Sequence, residues 1–118
     1  MEHGMTTITG RVVDMHVGVV DVQGDMNAGS EDALMAAYAS ACVAGTKGVV
    51  LNFDQLDFLN SGGIGLLVTL LVRANRNGQS IGACGLSDHY REIFQLTRLD
   101  DAITIHPTEA EALSAVTR

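Results

Sequence analysis

Val49, Val50 and Leu51 follow one another inside a short run beginning at Gly48, and this triplet constrains the fold more than any other feature of the chain. A strand with one wet face alternates apolar and polar side chains. Three consecutive apolar residues call for cover on both faces, the pattern of a central strand. Segments of helical periodicity flank the run. Leu34, Ala37, Tyr38 and Ala41 precede it, and Ile64, Leu67, Val68 and Leu71 follow it. A strand between two helices reaches its neighbours by crossovers, so it pairs in parallel with at least one of them.

The remaining segments extend the alternation. Residues 7–13 and 17–23 are rich in Thr, Ile and Val and read as two strands. The short Asp14-Met15-His16 link makes them a hairpin. Residues 24–29 read as a loop. Ser30 is an N-cap for a helix running to about residue 43, with Glu31 and Asp32 at its positive end and Gly45 beyond its last turn. After the strand at 48–54 a loop runs through Leu59. Asn60 or Ser61 caps a helix over 62–76, which Asn77-Gly78 ends. Residues 80–84 read as a strand, 88–96 as a helix capped by Ser87, and 103–105 as a short strand. Thr108 caps a last helix, with Glu109 and Glu111 in its first turn. The order β-β-α-β-α-β-α-β-α predicts an α/β domain: a mixed, mostly parallel sheet of four or five strands with helices packed against it. At 118 residues the chain reads as one domain, 1–118, with residues 1–5 as a flexible tail.

Charge and residue types exclude several functions. Seven Lys and Arg against fourteen Asp and Glu give a net charge of -7. No basic stripe is available to displace counterions from phosphates, so direct nucleic-acid binding is not expected; an acidic chain favours a basic protein partner. The longest apolar run, 64–72 with Thr69 inside it, is too short to span a membrane. Cys42 and Cys84 share no CxxC spacing and lie in apolar stretches, so they read as small buried hydrophobes in a reducing compartment. With no basic-then-apolar signal pattern at residues 1–5, the expected location is cytoplasmic.

Catalytic, metal and cofactor chemistry is also unmarked. His3, His16, His89 and His106 show no ligand spacing such as His-x-x-x-His. Asp88-His89 has no nucleophile beside it in sequence. Gly62-Gly63-Ile64-Gly65 lacks the Lys-Ser/Thr of a phosphate-binding loop, and no Gly-x-Gly-x-x-Gly is present. The chain reads as a binding module without a cofactor, not an enzyme. A small nucleotide-binding enzyme would need a titratable cluster beside that glycine-rich turn.

The segment 51–67 carries the strongest signal. Its Asn60-Ser61-Gly62-Gly63-Ile64-Gly65 resembles the signature of STAS domains (sulphate transporter and anti-sigma factor antagonist), in which a buried strand leads through a short loop to Asp-Ser-Ser/Thr-Gly-Leu/Ile-Gly and a helix. Gly24-Asp25-Met26-Asn27 sits where that family has a Gly-x-Leu-Asp-like loop, and the element order is similar along nearly the whole chain. A domain of this size is similar to the bacterial antagonists. The resemblance implies a partner that is both anti-sigma factor and serine kinase, and implies Ser61 as its phosphorylation site. It also implies a partner-binding surface drawn from Asp25, Asn60, Ser61, Gly62, Gly63 and Ile64. Unphosphorylated protein would bind the anti-sigma factor and free the sigma factor; phosphorylated protein would not. Two residues depart from the pattern: Asn60 stands for the usual Asp, and Gly62 for the usual Ser or Thr. The alternative is a non-switching STAS scaffold subunit of a larger signalling or lipid-transport assembly. A homodimer is compatible with either.

The residue types at this turn suit a switch. A helix N-terminus offers unpaired N–H groups and partial positive charge, which would accommodate a phosphate. Phosphate would add roughly -1.5 to -2 charges where a partner docks. Gly62 and Gly63 are expected to leave the backbone open to close approach. The plainer reading of Ser61 is an N-cap and nothing more.

Overall fold

The computed structural model describes residues 6–117; the expected tail at 1–5, including His3, lies outside the described residues. Five strands form one sheet in the order β1-β2-β3-β4-β5, with β1 Thr6–Val12, β2 Val17–Met26, β3 Gly48–Leu59, β4 Ser80–Cys84 and β5 Ile103–His106. β1 and β2 pair antiparallel, as the hairpin reading requires, and the other neighbours pair in parallel. The helices are α1 Glu31–Ala41, α2 Ser61–Arg76, α3 Asp88–Leu96 and α4 Glu109–Val116. The expected mixed sheet with packed helices is the observed fold.

The apolar triplet lies where its pattern demands. Successive side chains of β3 point to opposite faces. Val49, Leu51 and Phe53 enter the larger core, beneath Leu34 and Tyr38 of α1, Leu67 and Leu70 of α2, and Phe94 of α3. Val50 points the other way, into a smaller core with Val17, Val19, Cys84 and the α4 residues Ala112 and Val116. Val49, Val50 and Leu51 are each fully buried. Burying one such side chain contributes roughly 1.5–3 kcal/mol. Three helices thus cover one face and α4 the other.

The structure corrects two boundaries that matter for function. The segments expected as loops at 24–26 and 55–59 are strand: β2 continues to Met26 and β3 to Leu59. Their polar residues look like a loop because they are solvated on a projecting ribbon. Asp54, Gln55 and Asp57 are exposed. Two register shifts put two extra residues into β3, between Asn52 and Gln55 and between Leu56 and Phe58. Bulges of this kind bend a strand and re-aim its end.

The second correction concerns a cap. Ser30 does not cap α1; its hydroxyl accepts the Asn27 N–H at 3.1 Å, while Asn27 Oδ1 accepts the Gly29 N–H at 2.8 Å. The pair closes a single 3-10 turn, Ala28–Ser30, from which α1 continues. A second such turn, Leu99–Asp101, follows α3 after Arg98, whose φ is 64°. No helix among the described residues is long and apolar enough to cross a membrane.

Candidate functional site

Parallel pairing of β2 and β3 brings their carboxyl ends together. Asp25 lies opposite Phe58 and Met26 opposite Leu59. The chain leaves β2 through the 3-10 turn at 28–30 and leaves β3 directly into α2, so the two exits sit side by side. The Asn60 N–H donates to the Met26 carbonyl at 3.3 Å across the gap. Carboxyl ends of parallel strands are the usual place for a site in an α/β sheet.

Asn60 is the N-cap of α2. Its backbone is extended, and its Oδ1 accepts the Gly63 N–H at 3.0 Å. Ser61 is therefore relieved of capping. It is the first residue of the helix, it is exposed, and its hydroxyl makes no hydrogen bond with any described residue. The N–H groups of Ser61 and Gly62 belong to the first turn, which has no intrahelical acceptors. The ambiguity between Asn60 and Ser61 as cap is resolved in favour of Asn60, and the plain capping reading of Ser61 falls.

The expectation that Gly62 and Gly63 leave the backbone open to a partner is corrected. A Cβ on Gly62 would lie 2.8 Å from the Ala28 N, and one on Gly63 would lie 2.5 Å from the Met26 O. The close approach is the chain's own: these glycines let α2 start hard against the 28–30 turn. Gly63 is buried, so it shapes the edge from below. Ile64 is half-buried against the larger core.

Asp25 is partly exposed at the end of β2, held through its carbonyl by the Thr6 hydroxyl, and its carboxylate forms no ion pair among the described residues. Asp25, Asn60, Ser61 and Gly62 thus share one edge, with Ile64 anchoring it. Sequence reasoning missed Tyr90. From α3, 31 positions along the chain, its buried hydroxyl accepts the Leu59 N–H at 3.0 Å, two residues before Ser61. Nothing in the local pattern around Tyr90 signals that contact. Phe58, half-exposed beside the turn, was hidden by the same misreading of 55–59 as loop.

Arg11 bridges Asp21 at 2.8 Å and Glu109 at 2.5 Å, tying the β1–β2 hairpin to the start of α4, and both carboxylates raise its pKa. Asn52 Nδ2 donates to the same Glu109 oxygen at 2.9 Å. Among the described residues, no three His, Cys, Asp or Glu side chains converge to hold a metal ion. Cys42 and Cys84 are free thiols, Cys84 buried and Cys42 partly so.

Comparison with known proteins agrees with this fold. The STAS domain family model matches residues 7–112. An anti-sigma-B factor antagonist of Staphylococcus aureus is 31% identical over 68 residues, covering 57% of this chain and 63% of that protein's length. Among solved structures, an anti-sigma factor antagonist from Mycobacterium paratuberculosis superposes with a TM-score of 0.80 at 24% identity, over 98% of this chain and 97% of that one. The antagonist SpoIIAA, solved in unphosphorylated and phosphorylated forms, gives TM-scores of 0.72 and 0.68 at 20% identity over 93% of this chain, and 96% and 99% of those chains. Those likenesses, below 25% identity, establish the fold; the family model, spanning nearly every described element, establishes membership, and the chain belongs to the STAS domain family.

Proposed function

We propose that this protein is an anti-sigma factor antagonist, which binds a kinase-like anti-sigma factor through the Asp25–Ser61 edge and is switched by phosphorylation of Ser61, thereby regulating sigma-factor-dependent transcription. The observation that carries the reading is the division of labour at the start of α2: Asn60 caps the helix, and the Ser61 hydroxyl is left exposed and unbonded. Two relatives named as antagonists, one of them solved in a phosphorylated form, support it.

The switch is electrostatic. A phosphate on Ser61 would sit at the positive end of a 16-residue helix and be tolerated by its own fold. It would add about two negative charges beside Asp25. A partner seated on this edge would lose the room it needs, and any acidic group it places beside Ser61 would be repelled, with no rearrangement of either core. The protein acts here as ligand and phosphoacceptor, a cytoplasmic binding module without catalysis of its own.

The test compares wild type with Ser61→Asp. Asp suits the first turn of a helix, so folding should change by no more than about 1 kcal/mol. Binding to the anti-sigma factor recovered with the wild-type protein should fall far more. A Ser61→Asp protein that binds normally would refute the charge switch. The second reading, a constitutive scaffold, is favoured by Asn60 and Gly62 in place of the usual Asp and Ser or Thr. It prevails if the partner kinase and ATP leave Ser61 unmodified.

A further inference from the structure

The outward face of α2 carries residues that an isolated, solvated helix would not choose. Ser61, Gly65, Val68 and Val72 follow at spacings of four, three and four, which places them on one stripe. Gly65 is exposed, and a Cβ there would meet nothing within 4 Å. Packing within the chain therefore gives no reason for glycine, which weakens a helix relative to alanine. Val68 and Val72 are 46% and 47% exposed, and β-branched residues are poorer helix formers than the straight-chain ones usual on a wet face.

Beyond them the stripe turns basic. Val68, Thr69, Val72, Arg73 and Arg76 line an open groove of about 240 Å³. Arg11, Arg91 and Arg98 each form ion pairs, whereas Arg73 and Arg76 form none among the described residues, and α2 contains no acid. The helix dipole accounts for cations in a last turn. It does not account for two half-exposed valines and a bare glycine leading up to them.

We propose that this face is a docking surface for a protein that presents an apolar ridge bordered at one end by carboxylates. The ridge covers Gly65, Val68 and Val72, and the carboxylates meet Arg73 and Arg76. The proposal rests on the reading of the Ser61 edge as the anti-sigma factor's landing place, and it extends that footprint about 22 Å along the helix. Charge complementarity selects the occupant. The chain as a whole is strongly acidic, yet two unpaired arginines gather at one end of this stripe. A partner whose acidic groups meet Arg73 and Arg76 at one end of the stripe and whose uncharged surface meets Ser61 at the other can dock in only one orientation.

The experiment measures binding of the anti-sigma factor recovered with the wild-type chain, at low and high salt, to three full-length variants. Arg73→Gln/Arg76→Gln should weaken binding by roughly tenfold at low salt and flatten its salt dependence. Gly65→Ala should raise the melting temperature while weakening binding, a pair of signs that a purely structural glycine could not give. Ser61→Asp reports on the edge separately. If Ser61→Asp loses binding while the other two bind like wild type, the α2 surface is overturned and the edge reading stands. If the other two weaken while Ser61→Asp binds normally, the α2 surface stands and the edge reading falls. A Gly65→Ala protein that melts below wild type would assign the glycine to packing and remove the argument built on it.

Discussion

Gly63→Ala tests whether the candidate site is held together by backbone proximity. The added methyl carbon would lie 2.5 Å from the Met26 carbonyl oxygen and 2.6 Å from Leu59 Cδ1. The leucine methyl can rotate aside. The carbonyl cannot, because Met26 is paired with Leu59 in the sheet and accepts the Asn60 N–H at 3.3 Å. Normal contact requires the turn to open by about 1 Å. Overpacking of this kind costs roughly 1–3 kcal/mol, and stretching the Asn60 bond adds up to about 1 kcal/mol. Alanine returns about 0.5–1 kcal/mol of helix preference. The net is a destabilisation of about 2 kcal/mol, or a fall of roughly 8 °C in melting temperature for a domain of this size. Thermal and urea denaturation would measure it, with Gly65→Ala, two residues away and facing open space, as the control that should shift upward. A Gly63→Ala protein melting at or above wild type would show that the contact between the two strand exits does not hold the site.

Three further outcomes are expected. Asn60→Asp keeps the oxygen that accepts the Gly63 N–H, so stability should hold; phosphate incorporation at Ser61 by the partner kinase should be faster, because a carboxylate can take or orient the hydroxyl proton and an amide is a very poor base. Equal rates would make Asn60 a neutral replacement. Tyr90→Phe strands the buried Leu59 N–H, and the urea midpoint should drop by the equivalent of roughly 1–3 kcal/mol; an unchanged midpoint would contradict the proposed support of the turn by α3. Burial, with Asp54, Glu109 and Asp21 nearby, pushes the Cys84 thiol up from its ordinary 9.0 to about 11. The native state therefore holds this proton more tightly than the unfolded chain, a contribution present below pH 9 and lost as pH rises through 11. Thiol reagents at mildly alkaline pH should label Cys84 only after denaturation, and rapid labelling of native protein would refute its burial.

The elements legible in the sequence were those whose reasons are local. Val49-Val50-Leu51 announces a doubly covered strand by its run, and Ser87 and Thr108 announce helix starts by accepting the N–H groups of Tyr90 and Glu111. What stayed hidden depends on partners distant in the chain. Residues 24–26 and 55–59 are rich in Gly, Asp and Gln and look like loops alone; they are strand because they pair with each other. Asn27 and Ser30 are both good caps, and only their mutual hydrogen bonds decide which closes the turn. At the site, proximity of the Asp25 and Ser61 segments followed from parallel strands. The purpose of Gly62 and Gly63 did not, because the atoms they make room for belong to Met26 and Ala28.

The projecting ribbon has a further consequence for solubility. Pairing of β3 with β4 ends at Asn52 and Cys84, so from Phe53 onward β2 is the only strand paired with β3 among the described residues, with Gly85 set against Asp54 at the start of the open stretch. An uncovered strand edge is a template on which another chain can stack, and repetition of that contact gives polymers. Here the edge is blunted at both ends. The Asp54 N–H is turned onto Asn52 Oδ1 at 2.9 Å, and the Leu59 N–H onto Tyr90. Asp54 and Asp57 add exposed negative charge between those points, and the two bulges spoil the straight register that a foreign strand would need. These features oppose polymerisation through the ribbon beside Ser61, and removing the tyrosine hydroxyl would expose a donor to strand-on-strand growth as well as loosen the turn.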